Sequence, residues 1–206
     1  MRIKLSEIDI EKAYSNLIER SKFDTDFIVL TASASIICTL GFIMDNAPVI
    51  IGAMVVSPLL YPVLSLSTSL LWSDSKIIKK SFSSLINGCI IAMVISSIIS
   101  FLFPLSLSGS EIIERLSANP LIYFLIAFFS GFAGTFAFFW PGVIEAMTGI
   151  AISVALLPPL CILGIAFAGY REALASSGLI VILNIAGIIL GSITTLSLLQ
   201  APGQKK

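Results

Sequence analysis

The sequence predicts an all-α, polytopic membrane protein with six transmembrane helices, arranged as a 3+3 inverted repeat in which helices 2 and 5 are broken at prolines. Three observations support this fold class. Hydrophobic residues make up 57% of the 206-residue chain and charged residues only 12%, which excludes an ordinary water-soluble surface. Six apolar stretches are long enough to cross a bilayer. The chain also matches itself at an offset of 97 residues.

The six predicted spans form a transmembrane domain at residues 27–199. The first three make one unit at residues 27–103, and the last three make a second unit at residues 121–199. Between the two units, the segment EIIERL predicts a short interfacial helix. The predicted spans run from Phe27 to Met44, from Pro48 to Trp72, from Ser81 to Phe103, from Leu121 to Trp140, from the PGVIEAMTG segment to Gly169, and then to Leu199.

Residues 1–26 and 200–206 are predicted to lie outside the membrane, in the cytoplasm. In the first segment, Ser6 and Asp9 have the spacing of a capping box, and the apolar residues that follow have helical spacing. This predicts a short amphipathic helix, which either packs on the membrane domain or binds a partner. Eleven charged residues come before the first long apolar run, so we do not expect a cleavable signal peptide.

The distribution of basic residues predicts the orientation of the chain. With the amino terminus in the cytoplasm, ten of the twelve Lys and Arg residues lie inside, while Arg115 and Arg171 lie outside. We therefore expect a multi-pass protein of the plasma (inner) membrane with both termini in the cytoplasm. The ten inside residues are Arg2, Lys4, Lys12, Arg20, Lys22, Lys76, Lys79, Lys80, Lys205 and Lys206.

The offset of 97 residues aligns the two units with each other. A glycine, a proline and an asparagine in register, with matching span boundaries, favour a repeat over two unrelated halves of similar composition. Because each unit has three spans, the second must begin on the opposite side of the membrane, so the repeat is inverted, as in many secondary transporters. The matched pairs are Gly52 with Gly149, Pro62 with Pro159, and Asn87 with Asn184.

Helices 2 and 5 are predicted to break within the membrane. Ser57 followed by Pro58 has the sequence form of an N-cap with proline at the first helical position, which predicts a half-helix that begins there. Such a helix end presents unpaired N–H groups and partial positive charge to an anion or a polar group. Pro158 and Pro159 predict the same from the opposite side. The alternative is a proline kink whose freed backbone groups find partners nearby.

A few further residues complete the list of candidates. Asn87 and Asn184 are predicted to be the only amides buried in spans, where they either contact a solute or hold helices together. Glu145 is a candidate for proton or cation coupling, or else an interfacial loop residue. The three cysteines lie in apolar runs without metal-site spacing, so we expect small core residues and no disulfide: Cys38, Cys89 and Cys161.

The ionisable residues restrict the chemistry of the chain. Twelve basic and twelve acidic residues balance, so the net charge does not indicate a nucleic-acid partner. The absence of His removes the commonest metal ligand and general base. Ser57, Tyr61 and Glu145 are nucleophile and acid types, but no His or Lys lies near Ser57 in the sequence and no catalytic motif is present. We therefore expect no enzyme activity, no metal site and no cofactor.

Three stretches of the sequence resemble one known family. IIGAMVVSPLLYPVLSLSTSLLWSD, TGIAISVALLPPLCILGIAFAGY and LNIAGIIL are similar to the prokaryotic uncharacterised hydrophobic-domain family, domain of unknown function 389. The resemblance covers about residues 27–199 and implies a multi-pass prokaryotic membrane protein, without an established activity to carry over. The matching motif positions are Gly52, Ala53, Met54, Pro58, Pro62, Gly149, Pro158, Pro159 and Asn184.

The leading functional interpretation is a small-solute transporter or channel with a site near the bilayer midplane for an anionic or polar solute. The alternative is a structural or sensory membrane protein whose broken helices shape an oligomer interface. The expected partners are the lipid bilayer, a small solute or ion, and further copies of the chain, because six spans form only a small bundle. The candidate solute-binding or pathway residues are Gly52, Ser57, Pro58, Pro62, Asn87, Glu145, Gly149, Pro158, Pro159 and Asn184.

Overall fold

The structure, a computed structural model, describes residues 10–103, 110–117, 119–140 and 156–199. Within these ranges it contains nine α-helices and no strand, which confirms the all-α prediction. The helices are α1 (Ile10–Arg20), α2 (Thr25–Ile43), α3 (Ala47–Val56), α4 (Leu60–Trp72), α5 (Ser75–Leu102), α6 (Ser110–Ser117), α7 (Pro120–Phe139), α8 (Leu157–Phe167) and α9 (Glu172–Leu199).

The helices have the length and composition of a membrane protein. Four of them, α2, α5, α7 and α9, are long and apolar enough to cross a bilayer. Helices α3 and α4 form a fifth candidate span that is bent by 51°. Helix α8 is a shorter apolar helix of 11 residues. The first part of the predicted fifth span, at residues 141–155, lies outside the described residues.

The outer surface of α5 shows which side of a span faces lipid. Its exposed apolar residues recur at every fourth position, so they form one stripe along the helix. In water such a stripe would be unfavourable, whereas hydrocarbon accepts it. We therefore assign this face to the lipid. The stripe consists of Phe82, Ile86, Ile90, Val94 and Ile98.

The third span begins earlier than the sequence predicted. We expected it to start at Ser81, after a polar connection, but α5 starts at Ser75. Asp74 caps this helix: its Oδ1 accepts hydrogen bonds from the backbone N–H groups of Lys76 and Ile77, each at 3.2 Å. Lysine is a good helix former, so the basic segment continues the span as helix instead of forming a loop.

Two connections meet at one end of the molecule. The predicted turn at Asp45 and Asn46 is confirmed, because α2 ends at Ile43 and α3 begins at Ala47. The short helix predicted at EIIERL is observed as α6, whose Glu111 N–H donates to the Asp45 carboxylate at 3.0 Å. The Arg115 guanidinium of α6 lies 5.8 Å from the centre of the Phe42 ring. Helix α6 therefore packs over the junction between α2 and α3.

Helix α1 packs on α4 near the carboxyl end of α4. Tyr14 and Trp72 make an edge-on ring contact with centroids 4.5 Å apart. Leu17 on the same face of α1 is fully buried. Burial and the nearby Asp74 carboxylate raise the pKa of Tyr14, because both oppose its ionisation. The described part of α1 is thus docked on the membrane domain, as the first of our two alternatives predicted.

The helices of the two predicted units correspond in position. The helices after the breaks begin at Leu60 and Leu157, which are 97 residues apart. The 28-residue helices α5 and α9 begin at Ser75 and Glu172 and end at Leu102 and Leu199, again 97 residues apart. Packing is reciprocal, because α5 contacts α8 and α9 contacts α4. A buried hydroxyl contact of 2.8 Å also joins α2 to α5, between Thr39 and Ser96. A second contact of the same length joins α7 to α9, between Thr135 and Ser192.

Candidate functional site

The break between α3 and α4 consists of Ser57, Pro58 and Leu59. Ser57 has an extended backbone (φ −70°, ψ 126°), and its N–H donates to the Ala53 carbonyl at 3.3 Å. Pro58 has no N–H and disfavours helical geometry in the residue before it, so the helix cannot run on. The Tyr61 N–H then donates to the Pro58 carbonyl at 3.2 Å, which starts the next helix. The predicted interruption of this span is therefore observed.

Ser57 does not have the predicted role at this break. We expected it to cap α4, but it is the C-cap of α3, and the N-cap of α4 is Leu59. Helix α4 therefore begins two residues too late for the Ser57 side chain to reach its first N–H groups, and the N-cap prediction is wrong. The Ser57 hydroxyl is buried and has no hydrogen-bond partner among the described residues.

The first turns of α4 and α8 are built alike. The N-cap residues, Leu59 and Leu156, provide no side-chain hydrogen bond to their helices. Pro62 and Pro159 are the third residues of their helices, and Pro158 is the second residue of α8. Proline is tolerated there because the first N–H groups of a helix have no intrahelical acceptor. These prolines therefore belong to helix starts and not to mid-helix kinks.

The described surroundings of both helix starts are apolar. Leu59 and Leu156 are 2% and 1% exposed. The end of the Leu59 side chain lies 2.6 Å from the place that a Cβ on Gly88 would occupy, and the Phe27 ring lies 3.0 Å from it. Leu59 thus fills a notch on α5 that only glycine leaves open. The α4 start is held in position by this packing.

Arg20 is a residue near the break that the sequence analysis did not place there. Its guanidinium donates a hydrogen bond of 3.4 Å to the Tyr61 hydroxyl and lies 5.6 Å from the centre of the Tyr61 ring. Tyr61 is the second residue of α4, and Arg20 forms no ion pair with a carboxylate in the described part of the chain. The two residues are 41 positions apart, so no local pattern could have linked them.

Two predicted site residues lie away from the break. Asn87 was expected to be buried in its span, but it is only partly buried, and its side-chain amide donates to the Ser83 hydroxyl at 3.4 Å. The burial prediction is therefore wrong for Asn87. Gly52 lies on the exposed face of α3, where a Cβ would meet no atom within 4 Å. Neither residue lines the break.

The other predicted residues divide into buried and undescribed ones. Asn184 is 3% exposed within α9, as predicted. Pro58, Pro62, Pro158 and Pro159 are buried. Glu145 and Gly149 lie outside the described residues.

A small polar cluster lies in the core where α2, α5 and α8 meet. The Thr39 hydroxyl donates to Ser96, and the Ser97 hydroxyl donates to the Gly164 carbonyl at 2.6 Å. The thiols of Cys38 and Cys161 lie within hydrogen-bonding reach of each other at the same junction. All three cysteines are buried free thiols, which confirms their prediction as small core residues. The Ser97 contact holds α8 against α5, and the Thr39 contact holds α2 against α5.

Comparison with known proteins identifies relatives without an assigned activity. A family model described as a domain of unknown function (DUF389) matches residues 54–190, which is more than half of the chain. The uncharacterised protein MJ0678 of Methanocaldococcus jannaschii is 28% identical over 188 residues, covering 91% of this chain and 58% of the relative. The chain therefore spans less than two thirds of that relative's length. No solved structure matches it.

Proposed function

The chain belongs to the family of the domain of unknown function DUF389, and we propose that it is a transporter or channel for a small anionic or polar solute. The observation that carries this proposal is the buried Ser57 hydroxyl, which has no hydrogen-bond partner among the described residues and lies where a membrane helix is interrupted. A polar group in hydrocarbon is costly unless it is paired. A solute that hydrogen-bonds to Ser57 removes this cost.

The length of α3 supports a site near the bilayer midplane. Its 10 residues rise about 15 Å, which is half of a hydrocarbon core of about 30 Å. Helix α4 then starts without a side-chain cap. The Tyr61 N–H is used by the Pro58 carbonyl and Pro62 has none, so the N–H of the first residue of the helix, Leu60, is the one available to a solute. The partial positive charge of that helix end and the Arg20 guanidinium on Tyr61 both favour an anion or a strongly polar group.

We infer a 3+3 inverted repeat from the matched positions of the helices. The starts of α4 and α8, and both ends of α5 and α9, agree at an offset of 97 residues. Together with the reciprocal packing of α5 on α8 and of α9 on α4, this is typical of internal duplication. Because each unit has three spans, the second unit has the opposite orientation in the membrane. The uncapped start of α8 is then the counterpart of the α4 start, and the two units contribute equivalent helix ends to one site.

One observation favours the alternative, a structural or sensory protein whose breaks shape an oligomer interface. Leu59 and Leu156 are packed in apolar surroundings, as expected if the breaks only direct the path of the chain. The two functions differ at Ser57. A solute site needs its hydroxyl, whereas a packed bend does not.

A stability screen with a Ser57→Ala variant tests the proposal. Purified protein is screened against ions and small metabolites, and a ligand that binds the folded state raises the melting temperature. We expect the screen to find a ligand that binds the Ser57→Ala variant about tenfold more weakly than the wild type, because one hydrogen bond to a charged group is lost. Ser67→Ala is the matched control, because the Ser67 hydroxyl donates only to the Val63 carbonyl of its own helix. Equal ligand response in both variants would contradict the proposal.

The proposed orientation predicts the accessibility of single cysteines. A cysteine at Ser117, an exposed position in α6, should react with a membrane-impermeant thiol reagent added outside intact cells. A cysteine at Ser15, an exposed position in α1, should react only after the membrane is opened. The natural cysteines are buried, so background labelling is low. The reverse pattern would invert the orientation.

A further inference from the structure

A cavity with basic walls lies at the end of the molecule where α1 meets α2 and α5. Its volume is about 510 Å³. Its walls come from the last turn of α1, the corner between α1 and α2, and the first turns of α5. The cavity is separate from the break between α3 and α4, since no residue of that break lines it.

The charges in this cavity favour an anion. The charged residues that line it are three lysines, Lys22, Lys79 and Lys80, and one carboxylate, that of Asp24. Lys22 pairs with Glu19, and Asp24 uses one oxygen to accept the Phe27 N–H at 2.9 Å. Lys79 and Lys80 form no ion pair in the part of the chain that the structure describes. Two uncompensated ammonium groups therefore face a common space.

Hydrogen-bond donors accompany the lysines. Ser84 lines the cavity and is 4% exposed, so its hydroxyl faces a largely enclosed space. Asn87, one turn further along α5, also lines the cavity. Within the described part of the chain, its amide makes only the 3.4 Å contact with Ser83. A buried hydroxyl and an amide beside two ammonium groups are suited to the oxygens of a phosphate group.

The position of the cavity along α5 places it at the height of lipid headgroups. Helix α5 has 28 residues and is about 42 Å long, which exceeds the hydrocarbon thickness of about 30 Å by roughly 12 Å. The lipid-facing stripe begins at Phe82, so the turns with Lys79 and Lys80 project beyond the hydrocarbon. Phe23, at the rim of the cavity, is 41% exposed and apolar, as an interfacial residue is.

We propose that this cavity is a binding site for a phosphate group, with Lys79 and Lys80 neutralising its charge and Ser84 and Asn87 donating hydrogen bonds. At this height the phosphate belongs either to the headgroup of an anionic phospholipid or to a soluble phosphate compound. The apolar rim and the level of the site in the membrane favour the headgroup. The site does not depend on the proposed solute pathway.

Native mass spectrometry of the full chain tests the proposal. Protein is released from nanodiscs that contain either a zwitterionic lipid alone or the same lipid with an anionic phospholipid. We expect retained anionic lipid on the wild type, and about fivefold weaker retention in each of Lys79→Gln and Lys80→Gln. Ser84→Ala should weaken retention by about tenfold. Lys76→Gln is the matched control, because Lys76 is an exposed lysine in the first turn of α5 that does not line the cavity.

A second arm identifies the source of the phosphate. Inorganic phosphate is titrated into protein in zwitterionic nanodiscs while the melting temperature is recorded. A rise that depends on Lys79 and Lys80 assigns the site to a soluble phosphate compound, and lipid retention without such a rise assigns it to a headgroup. The proposal is overturned if neither arm shows binding, or if the cavity variants and Lys76→Gln behave alike. Equal melting temperatures of all variants in zwitterionic lipid verify that the fold is intact.

Discussion

Replacing Gly191 by alanine should destabilise the protein strongly, because the backbone of α7 lies directly against α9 at this residue. A Cβ at position 191 would lie 1.9 Å from the Phe128 carbonyl oxygen, which is far too close for non-bonded carbon and oxygen atoms. The neighbouring atoms are backbone, so the two helices must separate along their contact. We expect a loss of about 1–3 kcal/mol in the free energy of unfolding, the usual range for overpacking.

The same helix supplies the control for this prediction. Gly178 also lies in α9, but a Cβ there would meet no atom within 4 Å. Gly178→Ala should leave stability unchanged or raise it by up to about 1 kcal/mol, because alanine is the better helix former. Both variants are compared by thermal unfolding in the same detergent. If Gly191→Ala were as stable as Gly178→Ala, the close contact between α7 and α9 would be refuted.

The positions of the spans could be predicted because they depend on local properties of the chain. Apolar runs of sufficient length identify α2, α5, α7 and α9. The turn at Asp45 and Asn46 and the short helix α6 have capping residues and charges that local sequence reveals. Pro58 identifies the break in the second span, since proline lacks an N–H and disfavours helical geometry in the residue before it.

The remaining features depend on contacts between residues distant in the sequence. Arg20 reaches Tyr61 across 41 positions because α1 packs along α4. Asn87 faces the cavity at Lys79 and Lys80 because the corner between α1 and α2 leaves space beside α5. Packing also decides at which residue a helix begins. Leu59 fills the notch at Gly88, and this fixes the start of α4 two residues later than a Ser57 cap would require.

Replacing Pro58 by alanine should reduce solute flux sharply while the protein remains folded. Alanine supplies the N–H that proline lacks and allows helical geometry at Ser57, so α3 can continue towards α4. The Leu60 N–H at the start of α4 would then be used within the helix and lost to the solute. We expect flux into liposomes to fall about tenfold or more, the effect of losing one hydrogen bond to a charged solute.

The matched control is Pro48→Ala in the first turn of α3. Pro48 lies where a helix has no intrahelical acceptor for the missing N–H, so its replacement should change neither the bend nor the flux. Because α4 is held by the packing of Leu59 on Gly88, Pro58→Ala is also expected to retain the fold, which a melting curve verifies. Flux that is the same in both variants would show that the break only directs the chain, and the structural function would then replace transport.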